Sequence, residues 1–141
     1  MRILFVILLL FLSGLELDAQ TDSLTVNLTG IKQIDGSTLR IAVYNSKDTY
    51  FDQDKMFRSV ELAVDSTSVM HIFTNLPEGT YAITIYHDED GNGKMNRKWY
   101  GPPAEGYAFS NNYHSAVKPA SFKDAAFVLD GNKTLDIKMV Y

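Results

Sequence analysis

The sequence contains no cysteine, only four prolines and one tryptophan, and no cluster of basic residues. Without cysteine, no disulfide can hold the fold, and no thiolate is available as a nucleophile or metal ligand. Lys and Arg number 13 against 17 Asp and Glu, which leaves a formal net charge of −4. This balance argues against nucleic acid and against anionic membrane surfaces as partners.

Long apolar runs are also scarce, and the main one lies among the first residues of the sequence. Arg2 is followed by residues 3–12, which carry no polar side chain. This run is too short for a membrane-spanning helix, which needs roughly 20 apolar residues. Ala19 then places a small residue at a plausible cleavage point, as in a secretory signal peptide. We therefore expect a signal peptide over 1–19, a single exported domain over 20–141, and no membrane contact in the mature form.

The rest of the chain consists of short segments in which apolar and polar residues alternate, separated by turn residues. This period of two is typical of half-buried strands, and no helical pattern exceeds two turns. About seven such segments predict an all-β fold, a single antiparallel β-sandwich. The predicted strands are 24–28, 39–44, 60–64, 69–73, 81–86, 126–129 and 135–139. The predicted core is Leu24, Val26, Leu28, Leu39, Ile41, Val43, Leu62, Ile72, Tyr81, Ile83, Ile85, Phe127, Leu129, Leu135, Ile137 and Met139.

Two segments interrupt the strand pattern. Residues 46–57 combine acidic and aromatic side chains, and residues 96–124 form a long, aromatic-rich connection near the C-terminal third. Loops of this length are uncommon in a compact domain and often carry function. The aromatic residues of the second segment therefore suggest a surface for a glycan or protein partner at the cell envelope. They are Trp99, Tyr100, Tyr107 and Tyr113. The alternative is that these rings fold back as a lid over a sheet edge.

An acidic loop follows the strongest predicted strand. Asp88, Asp90 and Asn92 alternate and precede Gly93, which matches the start of a calcium loop. Oxygen atoms at alternate positions of a curled loop point inward, and Ca²⁺ takes six to eight oxygens at about 2.3–2.6 Å. The carbonyl of Lys94 and the side chain of Asn96 extend the expected ligand set. The competing interpretation is a tight turn, which uses the same residue types.

The calcium pattern is incomplete at its twelfth position. Trp99 stands where an EF-hand has its bidentate Glu, so a completing carboxylate must come from elsewhere. Glu105 is one candidate, and the others are Asp48, Asp52 and Asp54. One adjacent histidine, His87, without cysteine makes a poor zinc site. Ca²⁺ is therefore the one cofactor that the sequence suggests.

Catalytic patterns are weak by comparison. Ser110 lies near His114, and Asp88 adjoins His87, so a Ser-His-Asp trio can be assembled from the sequence. No G-x-S-x-G elbow or other spacing links these residues, and chance pairing of histidines with acids is the simpler interpretation. A hydrolase is the least favoured of three hypotheses, and we assign no catalytic residue.

Four sequence motifs resemble those of known protein families. Residues 73–81 (FTNLPEGTY) resemble the strand entry of transthyretin-like and carboxypeptidase-regulatory-like sandwich domains. Residues 87–94 (HDEDGNGK), 105–112 (EGYAFSNN) and 119–127 (PASFKDAAF) are similar to the DUF2141 family of exported bacterial proteins. The resemblance implies an Ig-like or transthyretin-like sandwich and a periplasmic or extracellular location, and it implies no catalytic residue. Ala108 stands where the family commonly has Gly, and Asp90 where it commonly has Asn.

Overall fold

The computed structural model describes residues 21–115 and 117–141, and the predicted signal peptide lies outside these residues. The described chain contains strands, one short α-helix, and 3₁₀ turns at Lys47–Thr49 and Ser110–Asn112. None of its helices is long and apolar enough to cross a membrane. The elements are β1 (Thr21–Thr29), β2 (Thr38–Tyr44), β3 (Arg58–Ala63), β4 (Ser68–Pro77), β5 (Gly79–Asp88), β6 (Tyr107–Phe109), α1 (Phe122–Ala125), β7 (Phe127–Leu129) and β8 (Lys133–Lys138).

The strands form two sheets, which confirms the all-β prediction. The first sheet has the order β4-β1-β8, and the second has the order β3-β2-β5-β6, with β7 also paired to β5. All pairs are antiparallel except β1 with β8, which is parallel. The expectation of a purely antiparallel fold is therefore wrong for this pair. Parallel neighbours need a long crossover connection, and here the entire second sheet lies between β1 and β8 in the chain.

One hydrophobic core receives side chains from both sheets. Val26 and Leu28 of β1 belong to the same buried cluster as Ile41 of β2 and Ile83 of β5. Most of the predicted core is confirmed as buried: Leu24, Val26, Leu28, Leu39, Ile41, Val43, Tyr81, Ile83, Ile85, Phe127, Leu129, Ile137 and Met139. Leu62 and Leu135 are only partly buried, at the margin of the cluster.

Ile72 was predicted to lie in the core, and this is wrong, since its side chain is 46% exposed. The pairing of β4 with β1 explains the error. Phe73 lies opposite Leu24 and His71 lies opposite Val26, so the odd-numbered residues of this part of β4 face the core. Both faces of β4 carry apolar residues. Because the polar residue His71 lies on the buried face, the sequence pattern favoured the opposite face for the core. The His71 ring packs edge-on against Phe73, with 4.6 Å between centroids.

The long aromatic segment contains more regular structure than its sequence pattern predicts. Strand β6 lies within it and pairs with β5, which brings the count to eight strands among the described residues. Helix α1 begins with a capping box in which Ser121 and Asp124 satisfy each other's backbone N–H groups. The S-x-x-D spacing is a recognisable signal for such a start. Strand β4 also continues to Pro77, through the turn expected over 75–79.

A polar network centred on the buried side chains of Ser37 and His87 joins the start of β2, the end of β5 and the partly exposed Tyr141. The Ser37 hydroxyl donates to the Ile34 carbonyl, with a distance of 2.6 Å. Its oxygen therefore accepts from His87 Nε2 at 2.8 Å, and the Tyr141 hydroxyl donates to His87 Nδ1 at 2.8 Å. The Lys32 backbone N–H donates to the same Tyr141 oxygen. A neutral imidazole has one donor and one acceptor, so this arrangement requires uncharged His87.

This network predicts that stability falls in mildly acidic solution. Burial lowers the pKa of His87 below its ordinary 6.5, although Glu89, Glu105 and Asp88 act to raise it. A histidine with a lowered pKa takes up its proton mainly on unfolding, so the melting temperature should fall as the pH drops below about 6.5. Burial also lowers the pKa of His71. We expect both His87→Gln and His71→Gln to reduce the fall in melting temperature between pH 7.5 and 5.5. An unchanged fall in the His87→Gln variant would contradict the neutral-ring assignment.

The register of β4 predicts opposite outcomes for two neighbouring substitutions. Phe73→Ala should destabilise the fold by about 3–5 kcal/mol, because it empties part of the core. Ile72→Ala should cost less, about 1 kcal/mol, because nearly half of this side chain is in solvent and it faces away from the core. Urea denaturation of both variants measures the two free energies of unfolding. Equal costs would mean that Ile72 faces the core after all.

Candidate metal centre

The acidic loop begins where β5 ends. Alternation along β5 directs Tyr81, Ile83, Ile85 and His87 into the core, and it directs the residues between them to the opposite face of the sheet. Asp88 is the last residue of the strand and pairs with Thr38 of β2. Its carboxylate is therefore anchored by the sheet, while the residues that follow it are free to curl.

The loop curls around the carboxylate of Asp88. Its two oxygens accept from the backbone N–H groups of Asn92 at 3.1 Å and Gly93 at 2.7 Å. Asn92 in turn accepts from the Lys94 N–H at 2.7 Å. Gly91 and Gly93 both have positive φ, at 72° and 75°, which residues with a Cβ rarely adopt. The two glycines thus allow the reversal that turns the oxygen-bearing side chains to one side.

Asp90 is the most exposed acid of the loop and lies among amide side chains. One of its oxygens accepts from Asn96 Nδ2 at 2.7 Å and from Asn92 Nδ2 at 2.9 Å. Desolvation acts to raise the pKa of Asp90, but these hydrogen bonds, with one from the Asn92 backbone, outweigh it and lower that pKa. Asp90 is therefore held in its ionised form.

Glu105 closes the loop from its far end. Its Oε1 accepts from the Glu89 N–H at 3.0 Å, and its Oε2 accepts from the Asn96 N–H at 2.7 Å. Glu89 makes the reciprocal bond, in which its Oε1 accepts from the Gly106 N–H at 2.9 Å. The first and last residues of the loop are thereby fastened to each other.

These contacts bring three carboxylates together. One oxygen from each of Asp88, Asp90 and Glu105 lies within 4.8 Å of the others. Asp88 and Glu105 are only 5% and 6% exposed. Over residues 21–115 and 117–141, no lysine, arginine or histidine nitrogen forms an ion pair with any of the three. The cluster is thus a partly buried group of carboxylates with which no basic side chain of the described residues forms an ion pair.

Of the four acids proposed to complete the site, the structure brings Glu105 to it. Asp52 instead pairs with Lys55, at 3.1 Å, and accepts from the Asp54 N–H. Asp48 lies in the 3₁₀ turn that Ser46 caps, on the segment between β2 and β3. None of these three acids belongs to the carboxylate cluster. Asn92, Lys94 and Asn96 are part of the loop, where Lys94 contributes its backbone N–H to the turn.

The aromatic candidates are divided between two places. Residues 96–104 form a small hairpin, closed by the Ala104 N–H donating to the Asn96 carbonyl. Trp99 and Tyr100 lie at its tip, 96% and 59% exposed, with ring centroids 5.3 Å apart. Tyr107 is instead part of β6, and Tyr113 packs against the second buried cluster, which is formed by Ala82, Phe109, Ala120 and Ala125. The four rings therefore do not form one platform.

Among the described residues, no hydrogen bond joins the members of the hypothetical catalytic trio to one another. The Ser110 hydroxyl accepts from the Ile83 N–H at 2.9 Å and donates to the Ala125 carbonyl, and it is fully buried. His87 bonds to Ser37 and Tyr141, as described above. His114 is exposed on the segment after the second 3₁₀ turn. Ser110 thus fastens α1 to β5 and is not aligned with either histidine.

Two contributors to the site were missed from the sequence. Glu89 fastens the loop through Gly106, and nothing local marks a contact between residues 17 positions apart. Tyr86 donates its hydroxyl to the Gly93 carbonyl at 3.1 Å, which ties the loop to the outer face of β5. The alternation of β5 places Tyr86 on the same face as Asp88, and this was a usable signal.

Comparison with known proteins supports a family assignment. A family model described as "Uncharacterized protein conserved in bacteria (DUF2141)" matches residues 26–138. Searches of curated proteins and of solved structures gave no match. The matched region runs from β1 to β8 and includes the acidic loop, the hairpin and Glu105. The chain therefore belongs to the DUF2141 family.

Proposed function

We propose that this protein is an exported, non-catalytic β-sandwich of Ig-like or transthyretin-like type that binds calcium in its 88–96 loop. The proposed ligands are Asp88, Asp90, Asn92, Asn96 and Glu105, with the carbonyl of Lys94. The observation that carries the proposal is the position of Glu105, whose carboxylate lies beside those of Asp88 and Asp90. In an EF-hand a Glu at the twelfth position supplies the last carboxylate, and in this loop Glu105 takes its place.

Electrostatics favour a cation here. Like charges held close together and shielded from water destabilise the folded state unless a counter-charge offsets them. An all-oxygen donor set with three carboxylates suits a hard cation, and the absence of cysteine and of a histidine donor disfavours zinc. Asn92 and Asn96 present amide donors to Asp90, so calcium binding requires both amides to turn their oxygen atoms inward.

The proposed role of the ion is structural. Glu105 accepts from the Asn96 N–H, and Asn96 also closes the hairpin that carries Trp99 and Tyr100. An ion held by Asn96 and Glu105 would therefore stabilise the base of this hairpin together with the end of β5. The two sheets with one shared core are consistent with a sandwich, and extracellular calcium modules bind in the range of about 10⁻⁴–10⁻³ M.

Calcium should raise the melting temperature of the purified protein. For a dissociation constant of about 10⁻⁴ M, millimolar free calcium adds roughly 1.4 kcal/mol, or about 4–6 °C, relative to excess chelator. Asp90→Asn and Glu105→Gln should each remove most of this shift, because each removes a ligand charge. Asp48→Asn and Asp54→Asn are matched controls that should retain it. Differential scanning calorimetry provides the measurement.

Two results would count against the proposal. An identical melting temperature in calcium and chelator would exclude binding to the folded state at these concentrations. A full shift in Glu105→Gln together with a lost shift in Asp48→Asn or Asp54→Asn would place the site elsewhere. Magnesium serves as the comparison ion and should produce a smaller shift, because it demands a tighter octahedral geometry.

A second candidate function is glycan or peptide binding by the hairpin tip. The observation that favours it is the exposure of Trp99, whose indole contacts little besides Tyr100. Exposed aromatic rings of this kind are costly to leave in water and suit stacking on a partner. Because Trp99 is the one tryptophan of the chain, its fluorescence reports binding directly. A set of soluble oligosaccharides and peptides that leaves the emission unchanged would count against this candidate.

A further inference from the structure

The outer face of the second sheet carries a large cavity. Its floor consists of side chains that point away from the core in two rows across the strands. One row is Arg40, Tyr86 and Tyr107, and the next is Ala42, Thr84 and Phe109. These rows follow from the antiparallel register, which places each residue directly opposite its partner on the neighbouring strand.

Three loop segments also line this cavity. The hairpin 96–104 contributes Arg97, Lys98 and Tyr100, and the segment after the second 3₁₀ turn contributes His114 and Lys118. Phe51 and Met56 come from the segment between β2 and β3. The volume of this partly open cavity is about 1020 Å³. Sites for drug-sized molecules have volumes of about 300–1,000 Å³, so the cavity suits a small molecule.

The charges around this cavity are opposite in sign to those of the whole chain. The chain carries 17 acidic and 13 basic residues. Within the described residues, those that line the cavity nevertheless include Arg40, Arg97, Lys98 and Lys118, and none of them is an aspartate or glutamate. Arg40 is ion-paired with Glu61, but no carboxylate of the described chain is ion-paired with the other three. Three exposed basic side chains, which form no ion pair within the described residues, therefore line a partly open cavity, and the Arg97 guanidinium also donates to the Gly101 carbonyl at 3.2 Å.

The surface between these cations is aromatic. Tyr44, Phe51 and Phe109 contribute apolar area, while Tyr86 and Tyr107 combine an aromatic face with a hydroxyl. An apolar lining with a few charged groups at defined positions is typical of sites that orient an amphipathic ligand. A free inorganic anion would leave this aromatic surface uncovered, and an uncharged hydrocarbon would leave the cations unpaired.

We propose that this cavity binds a small amphipathic carboxylate, with the apolar body against the aromatic floor and the carboxylate toward Arg97, Lys98 and Lys118. The proposal stands on the cavity and its charges, and it does not depend on calcium binding. The apolar body can be an aliphatic chain or a fused ring, and the two arms of the experiment below distinguish these sources.

Isothermal titration calorimetry of the purified protein tests the proposal. The probes are dodecanoate and 2-naphthoate, each paired with its neutral alcohol, dodecanol or 2-naphthalenemethanol. At least one carboxylate should bind with one-to-one stoichiometry and at least tenfold more tightly than its alcohol, with affinity that decreases as salt increases. Failure of both carboxylates to bind, or equal affinity for acid and alcohol, would overturn the proposal.

Variants locate the binding. A triple variant should bind the carboxylate probe at least tenfold more weakly, because it lacks the charge-assisted hydrogen bonds. Its substitutions are Arg97→Gln, Lys98→Gln and Lys118→Gln. Lys47→Gln, Lys133→Gln and Lys138→Gln together remove the same charge away from the cavity and should change the affinity less than twofold.

A second variant narrows the cavity without changing charge. Thr84→Tyr adds a ring on the floor, at a partly buried position that faces away from the core. It should abolish binding in a protein that still folds, with a lower melting temperature because the hydrogen bond between Thr84 and Tyr44 is lost. Equal weakening by the cavity and control triple variants, or full binding by folded Thr84→Tyr, would show that the carboxylate binds elsewhere.

Discussion

Strand β5 is hydrogen-bonded along both of its edges, and the features of the second sheet depend on this position. One edge pairs with β2, and the other pairs in turn with β7 and β6. A central strand cannot shift its register without moving every side chain to the opposite face. The core on one side and the outer face, with Tyr86 and Asp88, on the other are therefore specified together.

The end of β5 also carries a concentration of acidic side chains. Asp88 and Glu105 are almost fully buried, and Asp90 completes a cluster with no ion-paired cation over residues 21–115 and 117–141. Backbone N–H groups of Glu89, Asn92, Gly93 and Asn96 donate hydrogen bonds to the carboxylates of Asp88 and Glu105. The remaining negative charge is the physical reason for proposing a cation.

The acidic loop and the cavity share structural elements. Tyr86 lies on the cavity floor and donates its hydroxyl to Gly93 in the loop. The hairpin 96–104 begins at Asn96 and supplies Arg97, Lys98 and Tyr100 to the cavity wall. A change in the conformation of the acidic loop would therefore also move residues that line the cavity, because Tyr86 and the hairpin contact both. The negative loop and the positive cavity wall are separated by only a few residues of chain.

Local patterns predicted much of this arrangement, and their failures have identifiable causes. Alternation identified most strands and most core residues, because a half-buried strand must repeat with a period of two. It failed at Ile72, where both faces of β4 are apolar and only the partner strand β1 decides which face is buried. It also missed β6, whose three residues are too few to show a period.

The sequence by itself determined the all-β class, the family and the register of oxygen atoms at 88, 90 and 92, because each depends on residues close together in the chain. The tertiary structure alone decided that Glu105, and not an acid at 48–54, lies beside Asp88 and Asp90. It also decided that Tyr107 and Tyr113 lie apart from Trp99, and that four basic residues surround one cavity. These outcomes depend on which loops the paired strands bring together, and loop closure over such distances leaves no periodic trace in the sequence.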